Sequence, residues 1–199
     1  MDKINTQMII MIILIVVSFV LNHIMKKHVV NNLYEAIKNE DMNKFDELSK
    51  KTLYRYYIPA YNMEYTRLQG YMLTQDKTNA DSQISKLLKM RKSKNQEIDL
   101  YTKVFYYYVQ IGNKNKSETM LEKVKTVCSN EDIKLCQMAY DVILCEKYNH
   151  IEEIEKEYPS APQQLKTSFD YYLYLQYKNK GDLEKAETYK KKVESFGKN

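Results

Sequence analysis

One kind of turn recurs along this chain at nearly even spacing, with a helix-forming stretch on each side of it. The clearest copy is Gly181-Asp182. Before it, in "FDYYLYLQYKNK", Leu173 and Tyr177 lie four apart and share one helix face. After it, Leu183, Ala186, Tyr189 and Val193 mark a second helical stripe. Glycine takes a left-handed backbone without a steric penalty and so ends a helix, and aspartate caps the next helix by accepting from its free N–H groups. Ala186 is small and lets two antiparallel helices approach closely. The stretch predicts a helix-turn-helix hairpin.

The pattern repeats upstream. Gly112-Asn113 stands between Tyr101, Val104 and Tyr108 on one side and Ser117, Met120, Leu121 and Val124 on the other. Tyr148-Asn149 stands between Tyr140 and Leu144 and then Ile151 and Ile154. Asp76 separates Tyr65, Leu68 and Met72 from Ala80, Ile84 and Leu87, and Asp41 separates Leu33, Ala36 and Ile37 from Met42, Phe45 and Leu48. The turn positions 41, 76, 113, 149 and 182 are thus 35, 37, 36 and 33 residues apart. With 4 Gly and 3 Pro in 199 residues, little interrupts the helices, and the expected class is all-α. Pro159 and Pro162 mark a loop between the fourth and fifth hairpins. Pro59 either starts the first helix of the second hairpin or kinks it.

Hairpins at this period resemble the tetratricopeptide repeat. The fifth unit carries the family's spacing as Leu173, Tyr177, Gly181, Asp182, Leu183 and Ala186, and the third as Tyr101, Val104, Tyr108 and Gly112 with Ser117 in the small position. The family's early Trp is missing throughout, and its closing Pro is clear at Pro159. The resemblance covers nearly everything from residue 28 onward. It implies a right-handed α-solenoid of about five repeats over residues 28–199, and other helical-hairpin solenoids stay open.

Residues 1–27 read as a different segment. "MIIMIILIVVSFVL", residues 8–21, has Ser18 as its one polar residue. Residues 8–25 would make about 27 Å of helix at ~1.5 Å per residue, against a hydrocarbon core of roughly 30 Å. A cleaved signal peptide wants a positive start and small residues at the cut. Here Asp2 offsets Lys3 and no A-x-A follows, so the expectation is an uncleaved single-pass anchor contacting membrane lipid through residues 8–25. Lys26 and Lys27 follow it, and basic flanks stay in the cytoplasm, which puts the repeats inside the cell. Cys128, Cys136 and Cys145 are odd in number with no C-x-x-C, so neither a disulfide framework nor a zinc site is expected, and free thiols suit a reducing compartment.

Catalytic motifs are missing. His23, His28 and His150 stand apart from oriented partners and read as exposed or capping residues. No Gly-rich phosphate loop, G-x-S-x-G or H-E-x-x-H occurs. Glu152, Glu153, Glu155 and Glu157 read as the wet face of a helix. The expectation is a non-enzyme without cofactor or metal. A net charge of +5 is too small by itself to imply nucleic acid.

The repeat resemblance implies that the first helix of each unit lines a concave groove. Its groove positions fall on Tyr106, Val109 and Gln110, on Met138, Val142 and Glu146, and on Tyr171, Leu175, Lys178 and Asn179. Tyrosine suits binding because it offers a large rigid surface with a polar tip, yet it packs as readily between helices. The stretch "ISKLLKMRKSKN" holds Lys86, Lys89, Arg91 and Lys92 without an acid. It is the outer face of a helix or, together with Lys26 and Lys27, a contact for anionic headgroups, with an acidic partner as the other reading of the stretch. The implied function is a membrane-held scaffold that binds a peptide or helix of another protein. An exported binding protein and a regulatory subunit of a membrane enzyme are the alternatives.

Overall fold

The computed structural model describes the backbone of residues 2–196 and the side chains of residues 8–195 apart from Gln164. All regular structure among these residues is helical. The chain divides into two compact units, residues 1–92 and 93–199.

The first unit begins with α1 (Asp2–Lys38), followed by α2 (Met42–Lys50), α3 (Thr52–Tyr57), α4 (Ala60–Leu73) and α5 (Lys77–Lys89). No Gly or Pro falls before Pro59, and α1 runs unbroken through residues 27 and 28, where the sequence divides anchor from repeats. Met8 to Lys38 is long and apolar enough to cross a membrane: its most apolar 18-residue window has a mean hydropathy of 2.7 and is wholly unburied. By length and composition this is a candidate membrane anchor or signal sequence. Past it, Val29, Leu33, Ala36 and Ile37 turn into a core with Phe45, Leu48, Tyr54 and Met63. Pro59 stands just before α4 in extended conformation, so it starts that helix and does not kink it.

The second unit contains α6 (Lys94–Gln110), α7 (Lys114–Val127), α8 (Asn130–Ala139), a π-helical turn (Tyr140–Leu144), α9 (Ile151–Glu157), α10 (Gln163–Lys180) and α11 (Leu183–Phe196). Ser93 opens α6 with a reciprocal capping box, its hydroxyl accepting from Gln96 N–H while the Gln96 side chain accepts from Ser93 N–H. Pro159 sits in a 3₁₀ turn and Pro162 just before α10, in the predicted loop. Helices adjacent in sequence pack as pairs: α1 with α2, α4 with α5, α6 with α7, and α10 with α11.

The turns of these four pairs are closed in the same way. A residue in left-handed conformation (Glu40, Gln75, Gly112 or Gly181) precedes Asp41, Asp76, Asn113 or Asp182. The N–H of each of those four Asx residues returns to a carbonyl five residues back, at 2.8–2.9 Å. Each Asx side chain then accepts an N–H of the following helix, Lys44, Asn79, Lys116 and Lys185 in turn. Four residues beyond the Asx, Phe45, Ala80, Ser117 and Ala186 are all buried. The predicted turns 41, 76, 113 and 182 are therefore present.

The remaining turn departs from the prediction. Its left-handed residue is Glu146, ahead of the predicted Tyr148-Asn149, and a second turn at residues 149–150 leads into α9. The helix before Glu146 widens: Cys145 N–H reaches Tyr140 O and Lys147 N–H reaches Asp141 O. The ring gains one residue and Lys147 cannot cap, so α9 starts only at Ile151 and without a side-chain cap. The left-handed residues 40, 75, 112, 146 and 181 are 35, 37, 34 and 35 apart, a more even period than the sequence suggested.

Candidate binding surfaces

In the second unit α6, α8 and α10 bring Tyr106, Cys136 and Tyr172 together. The Tyr106 ring is 39% exposed, while burial, with Cys136 and Tyr172 beside it, pushes its hydroxyl far above the ordinary phenol range. Burial also raises Tyr172 to about 12 and the Cys136 thiol to about 11. At neutral pH all three are uncharged, and Cys136, at 1% exposure, is a thiol and not a nucleophilic thiolate. Tyr171 stands 41% exposed with its ring against Tyr172 at 5.9 Å. The arrangement is a neutral aromatic patch with Tyr106 and Tyr171 open to contact.

The other groove positions divide. Val109, Met138 and Val142 are buried, the latter two in the core with Leu173 and Tyr177, and offer a partner no surface. Val109 belongs to the buried side of α6 with Tyr108, and Met138 and Val142 are taken up by the core that Leu173 and Tyr177 of α10 share, so these positions pack helix against helix. Leu175 is half-buried against the same core. Gln110, Glu146 and Lys178 are exposed. Asn179 is occupied, its amide donating to the carbonyls of Val142 and Lys147 at 3.0 and 3.1 Å. It pins α10 to the irregular turn. The surface left for a partner is Tyr106 and Gln110 on α6, with Tyr171, Leu175 and Lys178 along one stripe of α10.

A polar cluster beside that surface went unseen in the sequence. His150 is packed between carboxylates, Nε2 at 3.2 Å from Asp141 and Nδ1 at 3.3 Å from Glu153. Asp141 is 4% exposed; burial opposes its charge, but Lys147, His150 and Gln137 outweigh burial and hold its carboxyl below the ordinary value. Glu153 and Glu157 both pair with Lys134, and Glu155 accepts from the Tyr177 hydroxyl. Three of the four acids expected on a wet face are thus engaged. His150 N–H donates to the buried Gln176 at 2.8 Å. These contacts clamp the turn whose backbone departs most from a regular hairpin. Among the described residues no group of His, Cys, Asp and Glu is arranged to hold a metal. The contacts run from three residues apart, His150 to Glu153, to twenty-six, His150 to Gln176, and the longer ones cross irregular backbone, where no helical spacing announces them.

In the first unit Lys26 and Lys27 are exposed on α1 just past the apolar run. Lys86 finds its partner outside its own acid-free stretch: Nζ lies 2.8 Å from Glu64 on α4. Glu64 also accepts from Gln83 at 2.8 Å and from Arg67, which reaches Asp46 on α2 at 3.1 Å and covers the Phe45 ring. Lys92 donates to the Leu88 carbonyl at the end of α5. Lys89 and Arg91 remain exposed. No family model, curated protein or solved structure matches this chain.

Proposed function

We propose that this chain is a membrane-anchored interaction scaffold built from tetratricopeptide-like hairpins. The apolar part of α1 crosses the bilayer once, the hairpins lie on the cytoplasmic side, and the Tyr106–Tyr171 surface binds a peptide or helix of another protein. The observation that carries the binding role is that Tyr106 and Tyr171 are 39% and 41% exposed while Cys136 and Tyr172 beside them are buried and half-buried. Ordered aromatic rings supply contact area with little entropy left to lose, which is why such residues dominate binding energy at interfaces. The unburied apolar window of α1 supports the anchor. Lys26 and Lys27 after it and three free cysteines support the cytoplasmic side. Tethering concentrates the chain where a membrane-bound partner is, so modest affinity suffices.

The test is co-purification from detergent-solubilised membranes, with the bound protein identified and its affinity measured. Tyr171→Ala should weaken binding by about 1–2 kcal/mol, roughly 5–30-fold, with the helical content unchanged. A partner that binds Tyr171→Ala and Tyr106→Phe as tightly as the parent excludes this surface. Thiol labelling reports the side of the membrane: Cys128 and Cys145, both partly exposed, should react only after lysis. Reaction in intact cells would instead make the chain an exported binding protein.

A further inference from the structure

We propose that α3 is a membrane-interface helix whose outward residues, Leu53 and Tyr56, enter the headgroup layer of the bilayer that α1 crosses. This rests on the anchor reading of α1. The position of α3 is fixed by two hydrogen bonds to α1. The Tyr57 hydroxyl donates to Asn22 Oδ1 at 2.9 Å, and the Asn32 amide donates to the Tyr54 hydroxyl at 2.9 Å. Asn22 is the first polar residue after the apolar run 8–21 and lies in the last turn of the 8–25 span, so the first bond holds the end of α3 near the edge of the hydrocarbon core. Asn32 lies ten residues on, about 15 Å farther from the core.

The two bonds also settle which side of α3 faces outward. Tyr54 and Tyr57, three residues apart, are turned to α1. Leu53 and Tyr56, also three apart, are 41% and 79% exposed. The Tyr56 ring stands edge-on to Tyr57 at 5.1 Å, one residue from the bond that marks the membrane boundary. A phenol ring gains most where its body meets acyl chains and its hydroxyl meets headgroups. The charges agree. Lys26, Lys27, Lys50, Lys51 and Arg55 are exposed on α1 and around α3, and of these Lys51 has an acidic neighbour, Glu47, at 2.9 Å. A basic rim around an aromatic tip suits anionic phospholipid.

The chain has no Trp, so a single introduced indole reports its own surroundings. Tyr56→Trp and Phe19→Trp are each made in the full chain and reconstituted into vesicles of phosphatidylcholine and phosphatidylserine. Phe19, 74% exposed within the apolar run, tests the anchor, and Tyr56 tests α3. The expected result is loss of Phe19→Trp emission to bromines deep in the acyl chains. Tyr56→Trp should lose emission to bromines placed near the headgroups, shift to the blue, and be quenched less without phosphatidylserine. If Phe19→Trp is quenched but Tyr56→Trp keeps water-like emission open to aqueous iodide, α3 is off the membrane and the inference fails. Blue-shifted Tyr56→Trp emission that no bromolipid quenches overturns it too, by showing a protein cover. Unquenched Phe19→Trp removes the anchor reading itself.

Discussion

Gly181 and Gln75 occupy the same left-handed site in two copies of one turn, with φ of 83° and 56°. Only glycine takes that conformation without crowding between Cβ and the backbone, a cost of roughly 1–2 kcal/mol for other residues. A Cβ built on Gly181 meets nothing within 4 Å, so Gly181→Ala isolates the backbone term and should lower stability by about 1–2 kcal/mol. Gln75, exposed at the turn, should show the reverse: Gln75→Gly should gain about 0.5–1 kcal/mol, the relief being offset in part by glycine's greater freedom when unfolded. Denaturant titration of both variants measures the pair, and equal effects of the same sign would contradict the shared geometry. The Asx residues of these turns were legible because a cap has a short list of suitable side chains. Glu40, Gln75 and Glu146 were not, since a strained site filled by an ordinary side chain leaves no mark in sequence.

Among elements, the ion network of the first unit joins three helices: Asp46 on α2, Glu64 and Arg67 on α4, Gln83 and Lys86 on α5. Burial alone would raise the Glu64 carboxyl, but hydrogen bonds from Lys86, Gln83 and Arg67 outweigh it and bring it from 4.5 down to about 2. A depressed carboxyl contributes stability that is full above its unfolded value and is lost as pH falls through the folded one. The contribution of Glu64 should therefore persist above pH 4.5 and disappear between 4.5 and about 2. Glu64→Gln should cost about 1–2 kcal/mol at neutral pH, with the gap to the parent closing across that window in acid unfolding curves. A gap that stays constant would show that the charge is not what stabilises these helices. Neither this network nor the His150 cluster was legible: helix stripes show which side of a helix is apolar, but not which polar residue of another helix it meets. The pairs themselves were legible because their signals are local, stripe, turn and small residue. The fourth turn was misplaced because Lys147 stands where the other four turns carry Asp or Asn, so nothing marks it locally, while Asn149 two residues on carries the cap signal.

At the scale of the whole molecule, the two units differ in what they need from their surroundings. The first includes α1, whose residues 8–25 are exposed and almost wholly apolar, and with α1 as the proposed anchor it calls for a bilayer or detergent. The second, residues 93–199, has its own buried set, from Leu100, Val104 and Phe105 to Leu173, Tyr177 and Ala186. Its first helix opens on the Ser93 capping box, so its start is closed without help from upstream residues. A compact unit of about a hundred residues lies within the range of independently folding domains. Residues 93–199 expressed alone should therefore be soluble without detergent, strongly helical by circular dichroism, and lose structure in one cooperative denaturant transition. The Tyr106–Tyr171 surface lies wholly inside this piece, so it should also keep the affinity of the full chain for a soluble form of the partner. Retained folding with lost affinity would mean that residues 1–92 complete the binding surface. A gradual, non-cooperative transition would mean that the hairpins are too weakly packed to stand as a unit.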